Sequence, residues 1–185
     1  MEKKCSVLLE NGTKYLTKEE YFDLHKQLRN YGMELMSFES GGVKASLNDI
    51  CIFVSQNVTE LLVASLMIPA AYDALKAVIC FSVKKIKERV RIVQPDKVRD
   101  VQPSIRFKMD NCEIIAPIPS DLPAQQFGIY FDAINEAIKT IQCNPSKEYE
   151  HFIIEPVGED SQVKVKSMIQ YAQEQMENQQ KDEGK

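Results

Sequence analysis

Tryptophan is absent from the 185 residues, histidine occurs twice, and glycine and proline number seven and eight. So little glycine and proline excludes fibrous and low-complexity classes. Metal-ligating spacings are missing as well: the chain has no HExxH, no CxxC and no Asp-rich calcium loop. The phosphate-cradling patterns GxxxxGK[ST] and GxGxxG do not occur, and the only glycine pair is Gly41-Gly42, which reads as a turn. No GxSxG elbow is present. His25 and His151 have no carboxylate or cysteine at ligand spacing and read as packed or surface histidines. The sequence therefore assigns no catalytic residue, no metal and no cofactor.

Five cysteines (Cys5, Cys51, Cys80, Cys112, Cys143) are widely separated and, Cys143 apart, sit in or beside apolar runs. They read as buried free thiols of a reducing compartment. The start, Met1-Glu2-Lys3-Lys4, is followed by too short an apolar run for a signal peptide before Glu10-Asn11-Gly12 intervenes, so a cytoplasmic chain is expected.

Apolar residues make up 44% and charged residues 27%, the balance of a folded domain. Twenty-three basic against 27 acidic residues give a net charge of −4, which disfavours a dedicated nucleic-acid binder on bulk electrostatics. The expected organisation is one α+β domain over 1–177 followed by a polar tail at 178–185.

Along the chain, Cys5–Glu10 reads as a strand. Thr17 and Glu20 stand at capping-box spacing, with Leu16 and Tyr21 as a hydrophobic staple. Tyr21, Leu24, Leu28 and Tyr31 recur at helical spacing, and Gly32 supplies a left-handed stop. Met33–Glu39 suits a second strand. Ile50–Val54 suits a third, with a helix from Ser46 as the competing reading. Asn57 is placed as the cap of one long helix over Val58–Val83, kinked or split at Pro69. Pro95 and Pro103 bracket a connector. Ile105–Met109 and Cys112–Ile118 form two strands across Asp110-Asn111, with Pro117 and Pro119 placing the second one's end at a sheet edge. Ser120 or Asp121 caps a helix whose apolar face is Phe127, Tyr130, Phe131, Ile134, Ile138 and Ile141, with Asn144-Pro145 as its stop. Glu148–Val157 reads as a strand, and Val165, Ile169, Ala172 and Met176 as the buried stripe of a last helix. The whole is α+β, with a mixed sheet of about four to six strands and about four helices, one of them long and mostly apolar.

Two features carry the functional expectations. From Leu61 to Val83, eighteen of twenty-three residues are apolar, more than one buried face needs. The readings are a central core helix, or a helix buried on one side against a partner subunit. Leu66, Tyr72, Ile79 and Phe81 are the expected interface positions. A membrane span ranks last, since Asp73 and Lys76 each cost ~2.5–3.5 kcal/mol near its middle. The second feature is the run Lys84, Lys85, Lys87, Arg89 and Arg91, with Glu88 the one acid inside it, extended by Lys97 and Arg99. Cations there complement a helix C-terminus, or they form an anion-binding stripe over 84–99 for nucleic acid or anionic lipid. The leading expectation is a non-enzymatic protein–protein interaction module: a homo-oligomer, or a small adaptor, regulatory or immunity-type subunit. A nucleic-acid- or membrane-surface module is the alternative, and an enzyme whose site the sequence does not reveal is the third reading.

Overall fold

The first helix forms where its chemistry is most complete. In the computed structural model, α1 (Lys18–Arg29) starts at Thr17, whose hydroxyl accepts from the Glu20 amide at 3.1 Å while the Glu20 carboxylate accepts from the Thr17 amide at 2.8 Å. That reciprocal cap satisfies two of the amides a helix start leaves open. Leu24 and Leu28 are buried, and Gly32 turns the chain at φ +73°. The strand before, β1 (Ser6–Glu10), and the strand after, β2 (Glu34–Phe38), pair in parallel, so the opening is a β-α-β unit as its sequence signals require. The structure describes residues 5–40, 50–94, 97–141, 149–157 and 162–183.

Residues Ile50–Val54 are a strand, β3, antiparallel to β1; the competing helix start at Ser46 lies outside the described residues. The long apolar segment is split into two helices, one of the two outcomes expected of Pro69. α2 (Gln56–Val63) begins after Ser55, two residues ahead of the expected cap Asn57, and ends at Ala64. Ser65 takes a left-handed φ of 54°, and α3 (Pro69–Arg89) restarts with Pro69 in its first turn. Proline has no amide hydrogen to give a preceding turn but fits a helix start, so the chain breaks ahead of it. No helix among the described residues is long and apolar enough to cross a membrane.

The expected connector contains a hairpin of β4 (Arg91–Gln94) and β5 (Lys97–Asp100), separate from the main sheet. β6 (Pro103–Lys108) and β7 (Cys112–Pro117) form the hairpin expected across Asp110-Asn111. β7 as a whole lies between β6 and β8 (Glu150–Val157), but its end at Pro117 pairs with β6 alone, as the edge position expected for the strand's end requires. The proline is tolerated because the β7–β8 register ends at Ile115↔Ile153, two residues earlier. α4 (Ala124–Thr140) starts after Pro123, not at Ser120 or Asp121, and buries all six residues expected on its apolar face; the stop expected at Asn144-Pro145 lies outside the described residues. Val165 belongs to β9 (Gln162–Ser167), antiparallel to β8, and α5 (Met168–Glu183) runs helical into the expected tail. Ile169, Ala172 and Met176 face solvent, opposite to the expected buried stripe.

The result is α+β, with five α-helices and a mixed seven-stranded sheet ordered β2-β1-β3-β6-β7-β8-β9 among the described residues. One sheet face carries Val7, Leu9, Ile52, Ile105, Ile114 and Ile154 into a continuous core with α1, α2, α3 and α4. On the other face the registers align one row across all seven strands: Met36, Leu8, Phe53, Arg106, Ile115, Ile153 and Lys166. Lys166 bonds Glu174 of α5, so that helix covers the β8–β9 end of this second face. Cys5, Cys51 and Cys80 are free thiols, whereas Cys112 is disulfide-bonded. That corrects the all-thiol expectation at Cys112; Cys143 lies outside the described residues.

Candidate functional site

Period-two alternation along β1, β3 and β6 puts Leu8, Phe53 and Arg106 side by side on the second sheet face, beyond the strands that α5 covers. Phe38, at the end of edge strand β2, leans on Phe53 with ring centroids 5.8 Å apart. Leu8, Phe38 and Phe53, together with the first turn of α2, bound a depression of about 540 Å3, whose polar rim includes Gln56, Lys108 and Glu113. This is within the size range of small-molecule pockets.

The rim's acid is compensated. The Glu113 carboxylate accepts from Arg106 Nη1 at 3.4 Å and lies 3.4 Å from His151 Nδ1. Arg106 also stacks over Phe53, 5.8 Å from its centroid. The Tyr149 ring meets His151 edge-on at 5.3 Å; burial, then the Glu113 charge, raises its phenol pKa. A carboxylate at Nδ1 orients the imidazole and leaves Nε2 directed elsewhere. That is the base-and-orienter part of a nucleophile-activating arrangement. His25 is far away, stacked on Tyr21 of α1 at 6.4 Å. Among the described residues, no group of three or more His, Cys, Asp or Glu could hold a metal ion.

A second concavity, of about 300 Å3, lies beside the α2–α3 turn. Tyr31, Met33 and Cys5 line one side and Leu66, Met67 and Ile68 the other. Leu66 is 70% exposed and Ile68 60%. Burial, with the Glu60 charge adding, raises the Cys5 thiol pKa.

Of the four expected interface residues, Leu66 is in this patch and Tyr72 beside it. Tyr72 follows Ile68 by one helical turn and donates its hydroxyl to Asp132 Oδ1 at 2.7 Å; Lys76 donates to both carboxylate oxygens, at 2.8 Å to Oδ1 and 2.6 Å to Oδ2. Phe81 lies about half a helical turn around α3 from Tyr72, under the Lys85 ammonium at 5.2 Å from its centroid. Ile79 is 0% exposed and belongs to the core cluster, so it has no surface to offer a partner. Seven of the eighteen apolar residues of Leu61–Val83 are buried (Leu62, Ala71, Ala74, Leu75, Val78, Ile79 and Val83), so α3 packs one face into the core while the α2–α3 turn stays open.

The basic run is tied down within the chain. Arg89 binds the Glu20 carboxylate at 2.6 and 3.0 Å and the Tyr15 carbonyl at 2.9 Å, and Lys85 reaches the same carboxylate at 3.1 Å. Arg89 first, then the capping bond to Thr17, holds the Glu20 pKa down at about 2. Lys87 donates to the carbonyls of Pro119, Ser120 and Leu122 at 2.6, 3.3 and 3.0 Å. Arg91 binds the carbonyls of Lys87 and Val90 and pairs with Asp100 at 3.3 Å. Lys84, on an exposed surface, stands 3.8 Å from Glu88. Arg99, in β5, bonds the Asp100 carbonyl at 3.2 Å.

The sequence readings missed Ile68, although a residue directly before a proline at a helix start is a natural exposed cap. They missed the Glu113–His151 contact as well. The β6–β7 hairpin makes Glu113 the partner of Lys108, which its turn implies, but the parallel pairing that delivers His151 has no local signal. Compared with protein-family models, with curated proteins and with solved structures, the chain matches none.

Proposed function

We propose that the chain is a non-enzymatic interaction module that associates with a second copy of itself through the α2–α3 turn. The observation that carries this reading is an apolar ridge beside an apolar groove. Leu66 and Ile68 rise on one wall of a concavity whose opposite wall is Tyr31, Met33 and Cys5. A two-fold interface needs both halves on one surface, so that each copy inserts its ridge into the other's groove. Tyr72, one turn along α3 from Ile68, extends the ridge with a hydroxyl already satisfied by Asp132. Burying Leu66 and Ile68 in the partner would contribute about 1.5–3 kcal/mol for each side chain. The internal pairing of Lys85, Lys87, Arg89 and Arg91 supports this reading over polyanion binding, which would have to compete with those contacts.

Light scattering on a gel-filtration column, over a wide concentration range, tests the proposal. The full chain is expected at twice its own mass, and Leu66→Asp and Ile68→Asp at the single-chain mass with unchanged circular dichroism. Phe81→Ser, on another side of α3, is expected to leave association intact. A wild-type chain that stays monomeric at every concentration, or Asp variants that still dimerise, would overturn it.

A further inference from the structure

We propose that the outer edge of β2 takes up an extended apolar segment of a partner protein as an added strand. The order β2-β1-β3-β6-β7-β8-β9 gives β2 a neighbour on one side only among the described residues. On that side the Glu34 amide donates to the Cys5 carbonyl, and the Phe38 carbonyl accepts from the Asn11 amide. Strand alternation then turns the N–H and C=O of Leu35 and of Ser37 outward. Among the described residues the Leu35 N–H and both main-chain groups of Ser37 have no partner, while the Leu35 carbonyl accepts from the Tyr21 hydroxyl at 2.9 Å. Open donors and acceptors at strand spacing are complementary to one chemistry, the main chain of an extended peptide. The opposite edge, β9, carries Lys164 and Lys166, and charges of that kind blunt an edge, whereas β2 contains no lysine, arginine or proline. The Tyr21 phenol stands where the N–H of an added strand would donate. Side chains of that strand meet apolar surface on either side. Leu16, Tyr21 and Phe22 line a concavity of about 370 Å3 against Ser37, with Phe22 64% exposed. Met36 and Phe38 are exposed on the other sheet face. A segment apolar at successive positions therefore seats its alternate side chains on both. No residue of this edge lines the α2–α3 groove, so the assignment stands whether or not the chain self-associates.

The test is NMR titration of the full chain with a capped peptide, acetyl-Thr-Val-Phe-Val-Thr-amide, and with its fully N-methylated counterpart, which keeps the side chains but has no N–H to donate. The first is expected to shift the Leu35 and Ser37 amide protons downfield in a saturable way and to slow their exchange with solvent. The Met36 amide, turned toward β1, should change little, and the N-methylated peptide should produce none of these effects. Phe22→Ser, at an exposed position, should weaken binding about three- to tenfold. Tyr21→Phe keeps the ring and frees the Leu35 carbonyl, and should tighten binding about two- to tenfold. Absence of saturable shifts, equal binding of the N-methylated peptide, a Phe22→Ser variant that binds like wild type, or a Tyr21→Phe variant that binds no more tightly would each overturn the proposal. Protection of the Leu35 and Ser37 amides that grows with the chain's own concentration, without peptide, would put a second copy at the edge and overturn the assignment to a partner protein.

Discussion

Two buried tyrosines offer the same chemical change with opposite expected signs. Tyr15 is 1% exposed, and its hydroxyl is buried with no hydrogen-bond partner among the described residues. Tyr130 is equally buried, but its hydroxyl donates to the Pro117 carbonyl at 2.8 Å, with the Ile154 carbonyl 3.4 Å away. Burial raises both phenol pKa values, so both groups are neutral at any ordinary pH. A hydroxyl taken out of water without a partner costs about 1–3 kcal/mol by protein mutational data. Tyr15→Phe removes that cost and keeps the ring, losing a few tenths of a kcal/mol from the small void left by the oxygen. The expected net is a gain of about 1 kcal/mol, or roughly 2–4 °C in melting temperature for a chain of this size. Tyr130→Phe removes a neutral hydrogen bond worth about 0.5–1.5 kcal/mol and leaves the Pro117 carbonyl wanting a donor, for a loss of about 1–2 kcal/mol.

Urea unfolding of the three proteins, compared at their midpoints with equal m-values, reads the difference without a long extrapolation. Tyr15→Phe should move the midpoint up and Tyr130→Phe should move it down. A destabilised Tyr15→Phe would refute the reasoning, because it would mean that the Tyr15 hydroxyl is bonded in solution, to a buried water or to a neighbour.

Two further outcomes follow from the basic run. Lys87→Met keeps the aliphatic stem but removes the donor shared by three carbonyls. A loss of about 1.5–3 kcal/mol is expected, moderated where water can reach the Ser120 carbonyl, with amide exchange rising first across 119–123. Glu20→Gln retains the capping geometry and deletes the charge that Arg89 and Lys85 bind. Because the folded pKa of Glu20, about 2, lies below the ordinary 4.5, its contribution is complete above pH 4.5 and is lost as pH falls toward 2. Unfolding measured across that interval should show the variant less stable at neutral pH and the gap closing in acid; a constant gap would show that the charge is not what matters.

What could be read from the chain alone was local. The Thr17–Glu20 cap, the Gly32 stop, the α4 face and the β6–β7 hairpin each depend on residues a few positions apart, and each formed. β9 was also legible in principle: Val163-Lys164-Val165-Lys166 alternates with the period of a strand. Reading Val165 together with Ile169 and Ala172 as a helical stripe overrode that signal. The hairpin of β4 and β5 was hidden by the prolines at 95 and 103, which look like a connector. The site was least legible. Its floor is assembled from β1, β2 and β3 and its rim from α2, β6 and β7, with order fixed by crossovers that no short pattern encodes.

The basic run shows why a charge count in sequence differs from a charge on a surface. Lys84 to Arg91 looks like a stripe only while its counter-charges are out of view. Folding brings Glu20 to Lys85 and Arg89 from the start of α1, and carbonyls of the proline-rich 117–123 segment to Lys87. The same cations then hold the C-terminal end of α3 to α1 and to the approach of α4, which is work an exposed anion-binding patch would have to undo. Once those pairs are subtracted, the surface that stands out is apolar: the Leu66–Ile68 ridge at the α2–α3 turn, and Leu8, Phe38 and Phe53 on the second sheet face. The proposed self-association rests on shape and burial at the first of these surfaces.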